Sequence, residues 1–468
     1  MADFPQAPAY MPDPAVLKLG DSFYDPVDAA DFPQTVLRFR NDRAAAEVGL
    51  DTLSDDAWLR HFGRFAPLPG NLPRPLAMRY HGHQFRVYNP ELGDGRGFTF
   101  AQMRRGADGA LMELGTKGSG QTPWSRFGDG RLTLKGGVRE VLATEMLQAL
   151  GVNTSRSFSL VETGEALERN DEPSPTRSAV LVRMSHGQIR IGTFQRLAYH
   201  GDAENMRRLV DWCLAELFGV VAAADPVAQL LGLAVDRTAR LAASYMVAGF
   251  VHGVLNTDNI NVTGESFDYG PWRFAATFDP GFTAAYFDHA GLYAFGRQPD
   301  AILWDVAQLA VSLRLISEAP PLIAQLERFE AQFRHAYAPL LQRRLGIVAP
   351  TGADATELGW TLKDAVEQAL MATGHAIDRF FFDGFGGALP DSYGADWDAV
   401  RAALKPYAPV PRGRNHPYFT GAPCALLFGE VEEIWAAIDR ADDWGPFQAK
   451  VAAIRALGDA LDQPGCHG

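Results

Sequence analysis

The hydrophobic period of this chain changes once, near residue 196, and that change limits the folds open to it. Between about 79 and 122, short apolar stretches alternate with glycine-rich turns (FRVYNPELGDGRGFTFAQM, then ALMELGTKGSG), the texture of strands and hairpins. Residues 157–162 and 179–185 read as two more strands. One helix interrupts them: Val138, Val141, Leu142, Met146, Leu147 and Leu150 keep a 3.6-residue spacing, and Gly151 suits the stop. Beyond 196 the period is helical. Residues 203–220 and 236–250 read as helices, the second with Asp236 as its N-cap, and nearly everything after Pro299 follows. Between these helices lie a polar loop, HGVLNTDN, and two short strands, INVTG and RFAATFD, flanking ESFDYGP. Residues 1–35 read as an extended arm and 55–62 as a short helix. A chain of 468 residues exceeds one simple core, so the order predicts an α+β protein with a β-rich half, a helical half and a cleft between them.

Composition removes several classes. With 29 Phe, 13 Tyr and 9 Trp the chain is not disordered. No apolar run reaches the roughly 18–20 residues of a membrane helix, so no membrane partner is expected. The start, MADFPQAPAY, has neither the basic nor the apolar part of a secretory signal. Cys213, Cys424 and Cys466 are far apart, which argues against a disulfide scaffold and for a reducing, cytoplasmic setting of bacterial type. The net charge of −13 argues against a nucleic-acid partner. Yet residues 71–140 hold eleven Lys/Arg against six Asp/Glu, a local basic field that suits an anionic ligand or reflects uneven surface composition.

Four groups of residues could carry chemistry. Gly93-Asp94-Gly95-Arg96-Gly97 lets the backbone approach a phosphate, or simply closes a hairpin. Lys117 ends a strand, and Glu140 lies 23 residues on, inside the helix; a strand lysine fixed by a helix glutamate is the phosphate grip of kinases. In HGVLNTDN, His252 and Asn259 hold the His and Asn positions of a kinase catalytic loop, but the base position is Val254. Asp268-Tyr269-Gly270 then stands where kinases have Asp-Phe-Gly, so Asn259 and Asp268 supply oxygens suited to Mg²⁺, unless both segments are Asx turns around a hairpin. Arg183 and Arg190 need a charge partner inside an apolar pattern, either a phosphate or a carboxylate. His81 and His83 lack a third ligand and read as structural or turn residues.

HGHQF, GDGRG, GTKGSGQTPWSRFGDGR, VREVLATEML, NTDNINVTGESFDYGP and FDPGF together resemble the selenoprotein O family of protein adenylyltransferases, over roughly residues 75–310. The resemblance implies a protein-kinase-like two-lobed fold. Its parts would be an N-terminal extension (1–78), a β-rich N-lobe (79–195), a helical C-lobe (196–345) and a helical C-terminal extension (346–468). It further implies ATP bound in a flipped orientation and transfer of AMP to Ser, Thr or Tyr hydroxyls of proteins, with pyrophosphate released. Carried over residue by residue, Gly93, Gly95, Arg96, Lys117, Asp129, Gly130, Arg183 and Arg190 are nucleotide contacts. Asn259 and Asp268 are ligands of Mg²⁺ (or Mn²⁺), Asp258 is the base, and Glu140 holds the lysine. The last third, with RGRNHPYFTGAPCALLFG, departs from the family, and Thr283-Ala284 follows Pro280-Gly281-Phe282 where some members place a cysteine that bonds to the tail. An ordinary phosphotransferase with Asp258 as a substitute base, and a nucleotide-binding pseudokinase scaffold, are the competing readings.

Overall fold

A computed structural model describes residues 9–170 and 172–462, so Cys466 lies outside the described residues. The architecture is α+β. The strands are β1 (Tyr24–Pro26), β2 (Val36–Arg40), β3 (Leu76–Met78), β4 (Thr99–Arg104), β5 (Leu111–Lys117), β6 (Leu132–Thr133), β7 (Arg156–Leu167) and β8 (Thr176–Ser185). They form one sheet in the order β1-β3-β4-β5-β8-β7-β2, with β6 paired to β8 and every pairing antiparallel. β5 and β8 are buried along nearly their whole length, and they bury the charged side chains of Glu113, Lys117 and Arg183 among apolar neighbours.

The helix expected around 138–150 is α1 (Leu134–Ala149). It starts at Thr133, whose side chain accepts from Gly136 N, and ends before Gly151 at φ +83. Val138, Val141, Leu142, Met146 and Leu147 are fully buried against the sheet. The short helix at Asp55–Phe62 also forms, capped by Ser54.

From Ile191 onward the chain is mainly helical: α2 (Ile191–Tyr199), α3 (Pro226–Ala248), α4 (Gln298–Leu313) and, at the C-terminal end, α5 (Gly445–Leu461) recur below. Three expectations need correction. α3 begins ten residues before Asp236; its N-cap is Asp225, which accepts from Ala228 N, with Pro226 at the first helical position. Asp236 sits mid-helix and pairs with Arg328. INVTG is not a strand: Asn261 makes a single bridge to Arg190, and the pairing that does form joins Phe250–Val251 to Arg273–Phe274. Gly264, at φ +66, turns INVTG against α3 so closely that a Cβ there would lie 2.6 Å from the Arg237 carbonyl carbon. Nor are residues 9–35 a free arm. β1 forms one edge of the sheet, and Ala15, Val16, Leu19 and Phe23 are buried.

The C-terminal helices return to α1. Arg455 on α5 makes two 2.7 Å hydrogen bonds to Glu145, and Lys135 reaches Glu432 at 2.7 Å. None of the described helices is long and apolar enough to cross a membrane.

The glycine turn before β4 is packed onto β5. A Cβ on Gly97 would sit 2.1 Å from the Thr116 carbonyl oxygen, a backbone atom that cannot rotate away. Gly97→Ala should therefore destabilise the protein by about 1–3 kcal/mol and lower its thermal midpoint in calorimetry. Gly429→Ala, where a Cβ meets nothing within 4 Å and the backbone is not left-handed, serves as the control.

Candidate functional site

Sheet and helices meet at a cleft of about 850 Å³. Of the residues expected from sequence, Gly93, Gly95, Arg96, Lys117, Asp129, Gly130, Arg183, Arg190, Asp258, Asn259 and Asp268 all line it. Glu140 does not; it stands behind Lys117.

The sheet supplies the cations. In the β5–β8 register, Lys117 faces Leu181 and Gly115 faces Arg183. Lys117 and Arg183 are therefore diagonal neighbours on one face. Arg190 caps α2 at the sheet's exit, with its guanidinium 4.5 Å from the centroid of Tyr80 and 4.7 Å from that of Phe267. Lys117 is ion-paired to Glu140, and both side chains are almost fully buried. Burial lowers the Lys117 ammonium below its ordinary value, while Glu140 and Asp268 oppose that shift.

All three cations converge on Asp268. Arg183 Nη1 donates to Oδ1 at 2.6 Å, Arg190 Nη1 to Oδ2 at 2.9 Å, and Lys117 Nζ lies 3.6 Å from Oδ1. Burial would raise this carboxyl, but Arg183, Arg190 and Lys117 hold it well below the usual carboxylate range. Its φ of +59 is a sparsely populated conformation for Asp, stored where the packing over-determines it. Of the two partners open to Arg183 and Arg190, the structure shows the carboxylate.

The catalytic-type loop is fixed from several sides. His252 Nε2 lies 2.9 Å from the Phe267 carbonyl, and its backbone N donates to Gln298 on α4. Asn259 Nδ2 donates to the Val254 carbonyl at 3.0 Å, which leaves its amide oxygen for other partners. The hairpin pairing Gly82–Gln84 with Val87–Asn89 holds the loop from above: His83 N donates to Thr257 Oγ1 at 2.7 Å and Phe85 N to Asn256 Oδ1 at 2.9 Å. His83 Nδ1 faces Gln195 Nε2 at 2.7 Å and His81 Nδ1 faces the Tyr88 hydroxyl at 2.8 Å, so both histidines serve packing and orientation.

Asp258 differs from its neighbours. It is buried, its Oδ1 has no hydrogen-bond partner, and a Cβ on Gly82 would touch that oxygen at 2.9 Å. Burial raises its carboxyl to about 6, with Arg190 opposing. The two loop carboxylates are thus driven apart: Asp268 is held ionised, whereas Asp258 is poised to take a proton.

Several cleft residues escaped the sequence reading. Asp94 accepts from Arg190 at 3.3 Å and from Met78 N at 3.0 Å, so the central residue of the Gly-Asp-Gly turn anchors an arginine. Its signal was a lone acid in a basic stretch. Asp129, by contrast, was among the expected residues; Arg169 holds it at 2.8 Å. Gln195 and Thr257, which bridge hairpin and loop, carry no local sequence mark.

As a chemical unit the cleft offers Arg96, Lys117, Arg183 and Arg190 for an anion, two side-chain oxygen donors at 259 and 268 for a hard cation, and at 258 a carboxylate with one unpartnered oxygen. Among the described residues no cluster of three or more His, Cys, Asp or Glu that could hold a metal ion is found.

Comparisons with known proteins agree in their direction. The family described as "Protein adenylyltransferase SelO" matches residues 9–384. "Protein nucleotidyltransferase YdiU" of Synechocystis sp. is 43% identical over 473 residues, covering 95% of this chain and 97% of its own. The protein of the same name from Gloeobacter violaceus is 44% identical over 470 residues, covering 95% and 94%. That from Azotobacter vinelandii is 36% identical over 370 residues, covering 78% and 73%. The first two alignments run well past the family match, so much of the C-terminal third is shared with those relatives.

Two stability outcomes follow. Glu140→Ala leaves the Lys117 ammonium buried with only Asp268 near it and should cost about 3–5 kcal/mol in denaturant unfolding. In metal- and nucleotide-free protein, Asp258→Asn should instead stabilise by about 1–3 kcal/mol at pH 8, because an ionised Asp258 is disfavoured in the folded state. Since its folded value is raised, that difference should shrink as pH falls through about 6 and vanish near the unfolded carboxyl's value of about 4. A constant difference from pH 8 to 5 would contradict this electrostatic reading.

Proposed function

The chain belongs to the SelO family of protein adenylyltransferases, and on that premise we propose that the cleft between sheet and helices binds Mg·ATP and presents its α-phosphorus to a protein hydroxyl. The enzyme transfers a nucleotidyl group from ATP to protein. The reading assigns a protein-kinase-like, two-lobed arrangement to the chain, with the sheet and α1 as one lobe and the helices from α2 onward as the other. The observation that carries it is the convergence of Lys117, Arg183 and Arg190 on Asp268, beside an Asp258 whose Oδ1 has no hydrogen-bond partner.

Lys117, Arg96, Arg183 and Arg190 bind the phosphates, and Glu140 keeps the lysine in place. The donors fit a hard divalent cation, since Asp268 is ionised and the Asn259 amide oxygen is uncommitted; Mg²⁺ or Mn²⁺ there neutralises triphosphate charge. Gly93, Gly95 and Gly130 let backbone approach the nucleotide, Gly130 at φ +69.

Asp258 accepts the proton of the incoming Ser, Thr or Tyr hydroxyl. The hydroxyl oxygen bonds to the α-phosphorus, the bond from that phosphorus to the α–β bridging oxygen breaks, and pyrophosphate leaves with that oxygen. Val254 cannot accept a proton, so the position used by kinases for γ-phosphoryl transfer is vacant of chemistry.

ATP labelled at the α or the γ phosphorus separates the possibilities. The α label should enter protein and the γ label should leave in pyrophosphate. Asp258→Ala and Asp258→Asn should each lose roughly 100-fold or more in transfer while Mg·ATP affinity stays within a few-fold. Val254→Asp should not create γ transfer. Entry of the γ label into protein, or wild-type transfer by Asp258→Asn, would overturn the assignment.

A further inference from the structure

A second cavity, of about 350 Å³, shares no lining residue with the nucleotide cleft. On α3, Arg237, Arg240 and Ser244 follow at spacings of three and four, so they lie on one face, and all three line this cavity. Opposite stand His186 and Asn153, with Leu217 and Phe218 as an apolar wall.

The arginines are out of keeping with the rest of the chain, in which guanidinium groups are mostly paired. Among the described residues, neither the Arg237 nor the Arg240 guanidinium makes an ion pair or a hydrogen bond. The nearby acids are already used. Asp236 is taken by Arg328 at 2.7 and 2.9 Å, and Glu265 accepts from the backbone N of His186 at 2.9 Å and faces its Nδ1 at 2.8 Å. Two like charges three residues apart on one helix oppose each other, and no counter-ion relieves them. The cavity therefore carries two unpaired, solvent-exposed guanidinium groups beside the neutral polar side chains of Asn153, Ser244 and Thr263, and among the described residues no carboxylate lines it, in a protein whose net charge is −13.

We propose that this cavity binds a small organic phosphate monoester, its phosphoryl group on Arg237 and Arg240 and its organic part against Leu217 and Phe218. Guanidinium forks match phosphate oxygens in geometry as well as charge. The volume lies near the lower end for small-molecule sites, which suits a compact metabolite rather than a second nucleotide. The site also has an address. Thr263 and Gly264 line it, and they belong to the loop that runs from Asn259 to Asp268. The close approach of Gly264 to Arg237 seats that loop on α3, so an occupant touches the middle of a segment whose two ends reach the nucleotide cleft. A phosphorylated metabolite bound here is placed to report on, or set, the geometry of that loop.

Phenyl phosphate is a suitable probe. It is titrated calorimetrically into the full-length protein with the nucleotide cleft filled by Mg²⁺ and a non-hydrolysable ATP analogue. One saturable site is expected, with affinity reduced at least tenfold in Arg237→Gln/Arg240→Gln. That double variant should keep the wild-type thermal midpoint and basal AMP transfer, since neither residue belongs to the cleft. No saturable binding to wild type, or equal binding to the double variant, would overturn the proposal. Because the readout is heat of binding, not turnover, the result does not depend on which phosphorus the enzyme attacks.

Discussion

Everything in the cleft is arranged around one carboxylate. Asp268 is held by Arg183, Arg190 and Lys117, which reach it from β8, from the start of α2 and from β5. Burying several like-charged cations side by side is affordable only with an anion among them. Asp268 supplies that anion. On the proposed reading, the phosphates of ATP take over the arginines and Asp268 turns toward a divalent cation. Its left-handed backbone conformation is the local cost of pointing a carboxylate at three elements at once.

The remaining elements hold that arrangement in register. Lys117 is placed by the β5–β8 pairing and by Glu140 on α1, and α1 is itself braced by α5 through Arg455 and Glu145. The C-terminal helices thus bear on the phosphate grip without lining the cleft. On the other side, the hairpin beginning at Gly82 fixes Thr257 and Asn256 and presses against Asp258. The contact leaves no room for a side chain at 82, which explains a glycine where the strand period alone would accept most residues.

Which features were legible in the sequence follows from how local their causes are. α1 was readable because its apolar residues keep one period and Gly151 ends it. That Lys117, Asn259 and Asp268 share a cleft was readable from motifs, since they keep the order of the kinase motifs they resemble. The start of α3 was not, because Gly232 and the alanine-rich stretch blur its apolar face, and Asp236 mimics a cap. INVTG has strand composition, yet the tight approach of Gly264 to α3 overrides it. Asp94, Gln195 and Thr257 act through partners about 60 to 175 residues away, and nothing in the surrounding residues marks such contacts.

On the proposed reading Asp268 is neutralised by arginines until nucleotide arrives, and metal affinity without nucleotide measures that directly. Free Mn²⁺ can be followed by electron paramagnetic resonance as it is titrated into nucleotide-free wild type and Arg183→Gln. Wild type should bind Mn²⁺ weakly, because the cation must compete with Arg183 and Arg190 for one carboxylate. Removing one guanidinium should tighten binding by about tenfold, the equivalent of about 1.4 kcal/mol. If nucleotide-free wild type binds Mn²⁺ as tightly as the variant, the arginines do not guard Asp268, and the central interaction described here is wrong.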